Sequence, residues 1–105
     1  MDSHLEGADL VLTGEGAIDH STIYNKAPVG VAERAKKLDI PVIAIAGSLG
    51  SGFKDVHYKG IDSVFSILDS PMDISKASHQ AANLISNTTE QLMRVISLTT
   101  LAREK

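Results

Sequence analysis

The sequence predicts an α/β protein built on a parallel three-stranded sheet with covering helices. Two near-continuous apolar runs, Leu10-Val11-Leu12 and Val42-Ile43-Ala44-Ile45-Ala46, have the composition of strands buried on both faces. Each run stops at a glycine-bearing polar stretch, Thr13-Gly14-Glu15-Gly16 in the first case and Gly47 to Gly52 in the second. Helix-period segments follow these strands, so the order strand, helix, strand, helix, strand, helix implies parallel strands joined by right-handed crossovers.

Residues 1–8 are polar and read as a lead-in to a first strand at about 9–13. The Gly14 to Lys26 loop that follows is rich in binding side chains: Glu15, Asp19, His20, Ser21, Thr22, Tyr24, Asn25 and Lys26. Pro28 suits the first turn of a helix, where its missing N–H is no loss. From Val29 to Leu38, Val31, Ala32, Ala35 and Leu38 share a face, while Glu33, Arg34, Lys36 and Lys37 take the other. Asp39-Ile40-Pro41 ends that helix, and a second strand at 42–46 is halted by Gly47.

A short helix is expected from Phe53 to Lys59, with Gly60 at its C-terminal end, and then a third strand at 63–68. Ser70 is the candidate N-cap of the last helical region, with Pro71 at its first position and Asp73 in its first turn. Between Pro71 and Arg103 apolar and small residues recur at three- and four-residue steps: Ala77, Ala81, Leu84, Ile85, Thr88, Leu92, Val95, Ile96 and Thr99. One long helix or two abutting ones should therefore pack on the sheet. The layers are Rossmann- or flavodoxin-like, and three such apolar strands want covering on both faces and neighbours on both edges. A single α/β domain over 1–105, a fragment of a larger α/β domain or a self-associating chain, is the expectation.

With 105 residues, 43% hydrophobic and 22% charged, the composition is that of a globular chain. A net charge of -3 without a basic stripe argues against nucleic acid. The absence of cysteine removes disulfides, thiolate metal sites and thiol nucleophiles together and fits a cytoplasmic location. No apolar stretch approaches the ~20 residues of a membrane span.

Parallel topology brings the loops after the three strands, at Thr13 to Gly16, Gly47 to Gly52 and Asp69-Ser70, to one edge of the sheet, where open α/β sheets bind ligands. Glu15 is read evenly as a base or water-bridged metal ligand and as a solvated loop residue. Asp19 is its partner carboxylate or, slightly favoured, a turn cap for Ser21 and Thr22. Lys26 before a helix suits an anion, although an isolated lysine is more often simply exposed; Ser48 and Ser51 among glycines suit phosphate or an ordinary turn. Gly47 and Gly52 have P-loop spacing, but Phe53 stands where lysine is required; Gly14-Glu15-Gly16 starts a dinucleotide fingerprint, but Asp19 stands where its third glycine belongs. The histidines show no metal spacing, and there is no G-x-S-x-G elbow.

Several segments together, Ala8-Asp9-Leu10-Val11-Leu12-Thr13-Gly14-Glu15-Gly16, Ile18-Asp19, Thr22, Lys26-Ala27-Pro28, Gly30-Val31-Ala32, Pro41-Val42-Ile43, Ala46-Gly47-Ser48-Leu49, Gly60-Ile61-Asp62 and Val64-Phe65-Ser66-Ile67, closely resemble the C-terminal part of the bacterial class I glycerate kinases. The resemblance implies ATP-dependent phosphorylation of D-glycerate to 2-phosphoglycerate with Mg²⁺, in a longer protein with its site between two α/β domains. It assigns Glu15 and Asp19 to catalysis and Thr13, Gly14, Gly16, Thr22, Lys26 and Ser48 to substrate or phosphate, with the metal ligands left open. The family pattern carries arginine where Ala17 stands, glutamine at Ser21 and glycine at Asn25, and the rest of the cleft is absent, so the chain alone is expected to be inactive. Two alternatives are a non-catalytic α/β module that binds a small anion or forms a homodimer, and a receiver-like domain, for which the strands are too few.

Overall fold

The computed structural model describes residues 9–104, with side chains to Leu98. They form two compact units, one ending at Ser66 and one beginning at Ile67. In the first, β1 (Val11–Ile18), β2 (Val42–Leu49) and β3 (Ser63–Ser66) make a parallel sheet in the order β1-β2-β3, with Val11 opposite Val42 and Ile43 opposite Ser63. Helix α1 (Lys26–Lys37) and two 3-10 helices, His20–Tyr24 and Phe53–Lys59, fill the crossovers. Ala32 and Ala35 of α1 and Val56 of the second 3-10 helix bury themselves with Val42, Ala44 and Ala46 in a core completed by Ile18, Ile40 and Ile61. Small residues on the helix let the backbones of helix and sheet approach closely. On the face opposite Val42 and Ala44, Ile45 is buried but Leu12 and Phe65 are each 39% exposed, so β1 is not buried on both faces as its apolar run suggested.

Both long strands run further than expected. The Thr13-Gly14-Glu15-Gly16 stretch is not a turn but the middle of β1, paired residue by residue with Ala44, Ile45 and Ala46 and, beyond Gly16, with Ser48 and Leu49. Gly47 likewise lies inside β2 and does not end it. The reason is a close backbone approach: a Cβ on Gly47 would stand 2.6 Å from the Gly16 carbonyl oxygen. Glycine here does what it does wherever two backbones crowd, continuing the ladder by omitting a side chain. The seam also resets the side-chain alternation. Core residues in β2 are Val42, Ala44 and Ala46 before Gly47 but Leu49 after it, and in β1 the packed residues change from Val11 to Ile18. Ile18 and Leu49, opposite one another, therefore turn inward and close the carboxyl end of the core.

The end of α1 is a Schellman motif. Asp39 takes a left-handed backbone (φ 59), its N–H bonds the Lys36 carbonyl at 3.1 Å, and Ile40 N–H reaches the Ala35 carbonyl at 2.9 Å. Ile40 is buried in the same core as Ala35, so the helix stops before Pro41 is reached and the turn after it brings Ile40 into the core. Pro28 is buried in the first turn, as expected, whereas Leu38 is exposed at 42% because the Schellman turn swings Ile40 into its place.

Asp62 ties these pieces together. Its Oδ2 accepts from the Lys36 ammonium at 2.5 Å and from Val42 N–H at 2.7 Å, while Asp62 N–H donates to the Val42 carbonyl at 2.9 Å. Burial pushes this carboxyl up, but the Lys36 and Val42 hydrogen bonds and the charges of Lys36 and His57 together outweigh it and hold the group below the usual carboxylate range.

In the second unit, α2 (Ile74–His79) and α3 (Ala81–Glu104) are the two abutting helices, interrupted at Gln80. The N-cap is Asp73, whose Oδ1 accepts Lys76 N–H at 2.8 Å, and not Ser70. A carboxylate two residues beyond Pro71 satisfies the orphan N–H groups and favours the positive helix end, so the helix starts there. Leu84 and Leu92 are buried, but Ile85 (47%) and Val95 (61%) from the expected apolar stripe are exposed, and the side chain of Thr99 lies outside the described residues. No helix among the described residues is long and apolar enough to cross a membrane.

In urea unfolding, Gly47→Ala should lower stability by about 1–3 kcal/mol, as overpacking does. Gly30→Ala, in α1 with nothing within 4 Å of the added methyl, should raise it by roughly 0.5–1 kcal/mol. Equal effects of the two would contradict the seam. Because the folded-state pKa of Asp62 is depressed, its contribution is present above the unfolded value of about 4 and is lost as pH falls through the folded value. Asp62→Asn should therefore cost ~1 kcal/mol at pH 7 and show a flatter decline in stability between pH 5 and 2 than the parent chain.

Candidate functional site

The carboxyl end of the sheet is built by two loops that hold one another. β1 ends at Ile18 and β2 at Leu49, and Gly50 N–H donates to the Ile18 carbonyl at 2.7 Å while His20 N–H donates to the Ser51 carbonyl at 2.9 Å. Gly50 and Gly52 are needed for the fit. A Cβ on Gly50 would meet Asp19 Cβ at 3.0 Å, and one on Gly52, which also has φ +76, would meet His20 Cβ at 2.6 Å. The expected first ligand loop, Thr13 to Gly16, is strand; it is the turn after β1, from Asp19, that meets the Gly50 to Gly52 loop. Asp69-Ser70, the third, belongs to the second unit.

Asp19 caps the first 3-10 helix. Its Oδ1 accepts the Ser21 N–H at 2.8 Å and the Ser21 hydroxyl at 2.6 Å, and its own N–H donates to Thr22 Oγ1 at 3.0 Å, a reciprocal capping box. The Ser21 hydroxyl, then the Ser21 N–H, lower the Asp19 pKa from its ordinary value; slight burial acts in the opposite sense and His20 adds to the lowering. The carboxylate is therefore ionised throughout the neutral range. Thr22 is 1% exposed, so its hydroxyl is committed to the turn.

The other expected residues are spread out. Glu15 is half-buried in mid-strand opposite Ala46, and Thr13 lies two residues deeper opposite Ala44. Four strand steps of ~3.3 Å separate Glu15 from Asp19 by about 13 Å, so the two carboxylates are not a direct pair. Gly14 and Gly16 are exposed strand positions, and Ser48 is exposed opposite Ala17, itself exposed. Lys26 is the exposed first residue of α1, whose N-cap Asn25 makes no side-chain cap hydrogen bond. Among the described residues no three His, Asp or Glu side chains gather into a metal-binding group. The mutual clamp of the two loops escaped the sequence reading, and only the spacing of Gly50 and Gly52 hinted at it.

Residues 1–97 match the family model described as the glycerate kinase family. The chain belongs to the glycerate kinase family. It is 54% identical over 95 residues to a glycerate kinase of Bacillus cereus, covering 90% of this chain and 25% of that relative. It is 40% identical over 98 residues to the glycerate 2-kinase of Escherichia coli, covering 93% of this chain and 26% of the relative. Its fold is similar to a crystal structure assigned as glycerate kinase 2, from Salmonella typhimurium LT2, with a TM-score of 0.66 and 36% identity over 94% of this chain and 25% of that one. The chain spans about a quarter of the length of the relatives it matches.

Because asparagine caps as well as aspartate, Asp19→Asn should leave the thermal midpoint within a few degrees of the parent, whereas Asp19→Ala should cost about 1 kcal/mol. Comparing the two by calorimetry separates the cap from any role of the charge, and equal losses would show that the cap contributes nothing.

Proposed function

We propose that this chain supplies one part of the active site of an ATP-dependent kinase that converts D-glycerate to 2-phosphoglycerate in the cytoplasm, and that it is inactive alone. The observation that carries the reading is Asp19, held by Ser21 just past the carboxyl end of a parallel strand, in a chain 54% identical to a glycerate kinase. Phosphoryl transfer is mainly positioning and neutralisation of charge. Asp19 orients the acceptor end of the substrate; Lys26, with the N-terminal N–H groups of α1, receives an anionic group. Glu15, about 13 Å from Asp19 along the strand, meets a different group of the bound substrates, with Thr13, Gly14, Gly16 and Ser48 along the same two strands.

Mg²⁺ is commonly held through one or two carboxylates together with substrate phosphates, and that donor chemistry fits Asp19 or Glu15 without a dedicated cluster. Bound there, the ion would neutralise phosphate charge. A second reading, a non-catalytic module that binds a small anion or forms a homodimer, draws on Ala17, where the family pattern carries arginine, and on the 39% exposed Leu12 of the sheet's outer strand.

Exchanging the matching segment of the Bacillus cereus relative for this chain should give an enzyme that releases ADP in a glycerate-dependent coupled assay. The isolated chain should release none. In that chimera Asp19→Asn should lower kcat/KM by ~10² or more, and Ala17→Arg should raise it about tenfold by restoring a bidentate donor. A folded but inactive chimera, or an Asp19→Asn chimera with unchanged kcat/KM, would overturn the assignment.

A further inference from the structure

Ser21 places both of its hydrogen bonds on one of the two oxygens of Asp19. Oδ1 takes both hydrogen bonds from Ser21, one from its N–H and one from its hydroxyl. The backbone on either side is already pinned: Ile18 by Gly50 N–H, Asp19 by Thr22 Oγ1 and His20 by the Ser51 carbonyl. Gly50 and Gly52 leave no room for the turn to shift toward the second loop. What remains free is rotation of the Asp19 side chain, and Ser21 removes it by placing two donors on one oxygen.

Resting on the reading of Asp19 as the carboxylate of the site, we propose that Ser21 is a positioning residue, which holds Asp19 through Oδ1 so that Oδ2 is the oxygen presented to the ligand. Ser21 acts through Asp19 and touches no substrate. Thr22 and Ser21 divide the work: the buried Thr22 hydroxyl anchors the main chain, and the exposed Ser21 hydroxyl orients the acid. Loss of the Ser21 hydroxyl leaves its N–H in place, so the turn persists while the carboxylate loses its shorter hydrogen bond. The charged side chain acting on Asp19 among the described residues is His20, on the same turn; the Gly50 to Gly52 loop contributes none.

The test begins with the 105-residue chain. A carbon-detected NMR titration of Asp19 should show its midpoint raised by ~0.5 unit or more in Ser21→Ala and restored in Ser21→Thr, with thermal midpoints within a few degrees. In the chimera, Ser21→Ala should lower kcat/KM by about 3- to 10-fold and move its acid limb upward by the same interval, and Ser21→Thr should recover both. An unmoved Asp19 midpoint, or a moved midpoint with unchanged kcat/KM, overturns the positioning role. If instead Asp19→Asn leaves the chimera's kcat/KM unchanged, the site assignment itself fails, while the titration still reports whether Ser21 holds the carboxylate.

Discussion

Two peptide planes pass each other at Gly16 and Gly47 with no room for a methyl group on the second. Much of the first unit depends on that approach. It lets β1 and β2 run on to Ile18 and Leu49, and by changing the alternation it turns those two residues into the core. It also fixes where the strands stop, and therefore where Asp19 and Gly50 meet. A larger residue at 47 would force the strands apart and would move the carboxyl edge with them, because Asp19 and Gly50 directly follow the last strand residues, Ile18 and Leu49.

Asp19 and Asp62 illustrate how the same side chain serves two ends. Both carboxyls lie below their ordinary pKa: at Asp19 the Ser21 hydrogen bonds dominate, and at Asp62 burial, the largest single effect, is outweighed by hydrogen bonds and nearby charges together. Asp62 spends a single oxygen on Lys36 and Val42 and so binds the end of α1 to the start of β2, at the amino edge of the sheet. Asp19 sits at the opposite edge, and its partners belong to its own turn. A lowered pKa alone does not distinguish them; what does is whether the partners are remote elements of the fold or neighbours in one loop.

The α/β class, the parallel order and the rough positions of all three strands were legible, because continuous apolar runs and a helix with Ala32 and Ala35 on one face report burial directly. The strand ends were not. Glycine is read as a breaker when it follows an apolar run, and nothing local in Thr13-Gly14-Glu15-Gly16 announces that its partner strand also carries a glycine across from it. The same error placed Glu15 and Asp19 on one turn, when the extended strand between them sets them far apart. Asp19 as a cap was visible from Ser21 and Thr22, since short-range hydrogen bonds depend on near neighbours. The helix start at Asp73 was missed because Ser70-Pro71 is an equally good local signal, and only the chain's path decides between them.

The core of the first unit lies between Ile18 and Ile61, and the partners in the sheet are separated by modest stretches of chain: Val11 from Val42, Ile43 from Ser63. Loop-closure entropy grows only slowly with such lengths, and each crossover carries its own helix to shorten the search. At the roughly 5–20 residues per second of synthesis, the residues of β1, β2 and β3 are made within seconds of one another. The Schellman turn at Asp39 is formed from near neighbours and leads the chain from α1 to the start of β2. The pairings of this sheet all lie within residues 11–66 and can form in chain order as those residues are made.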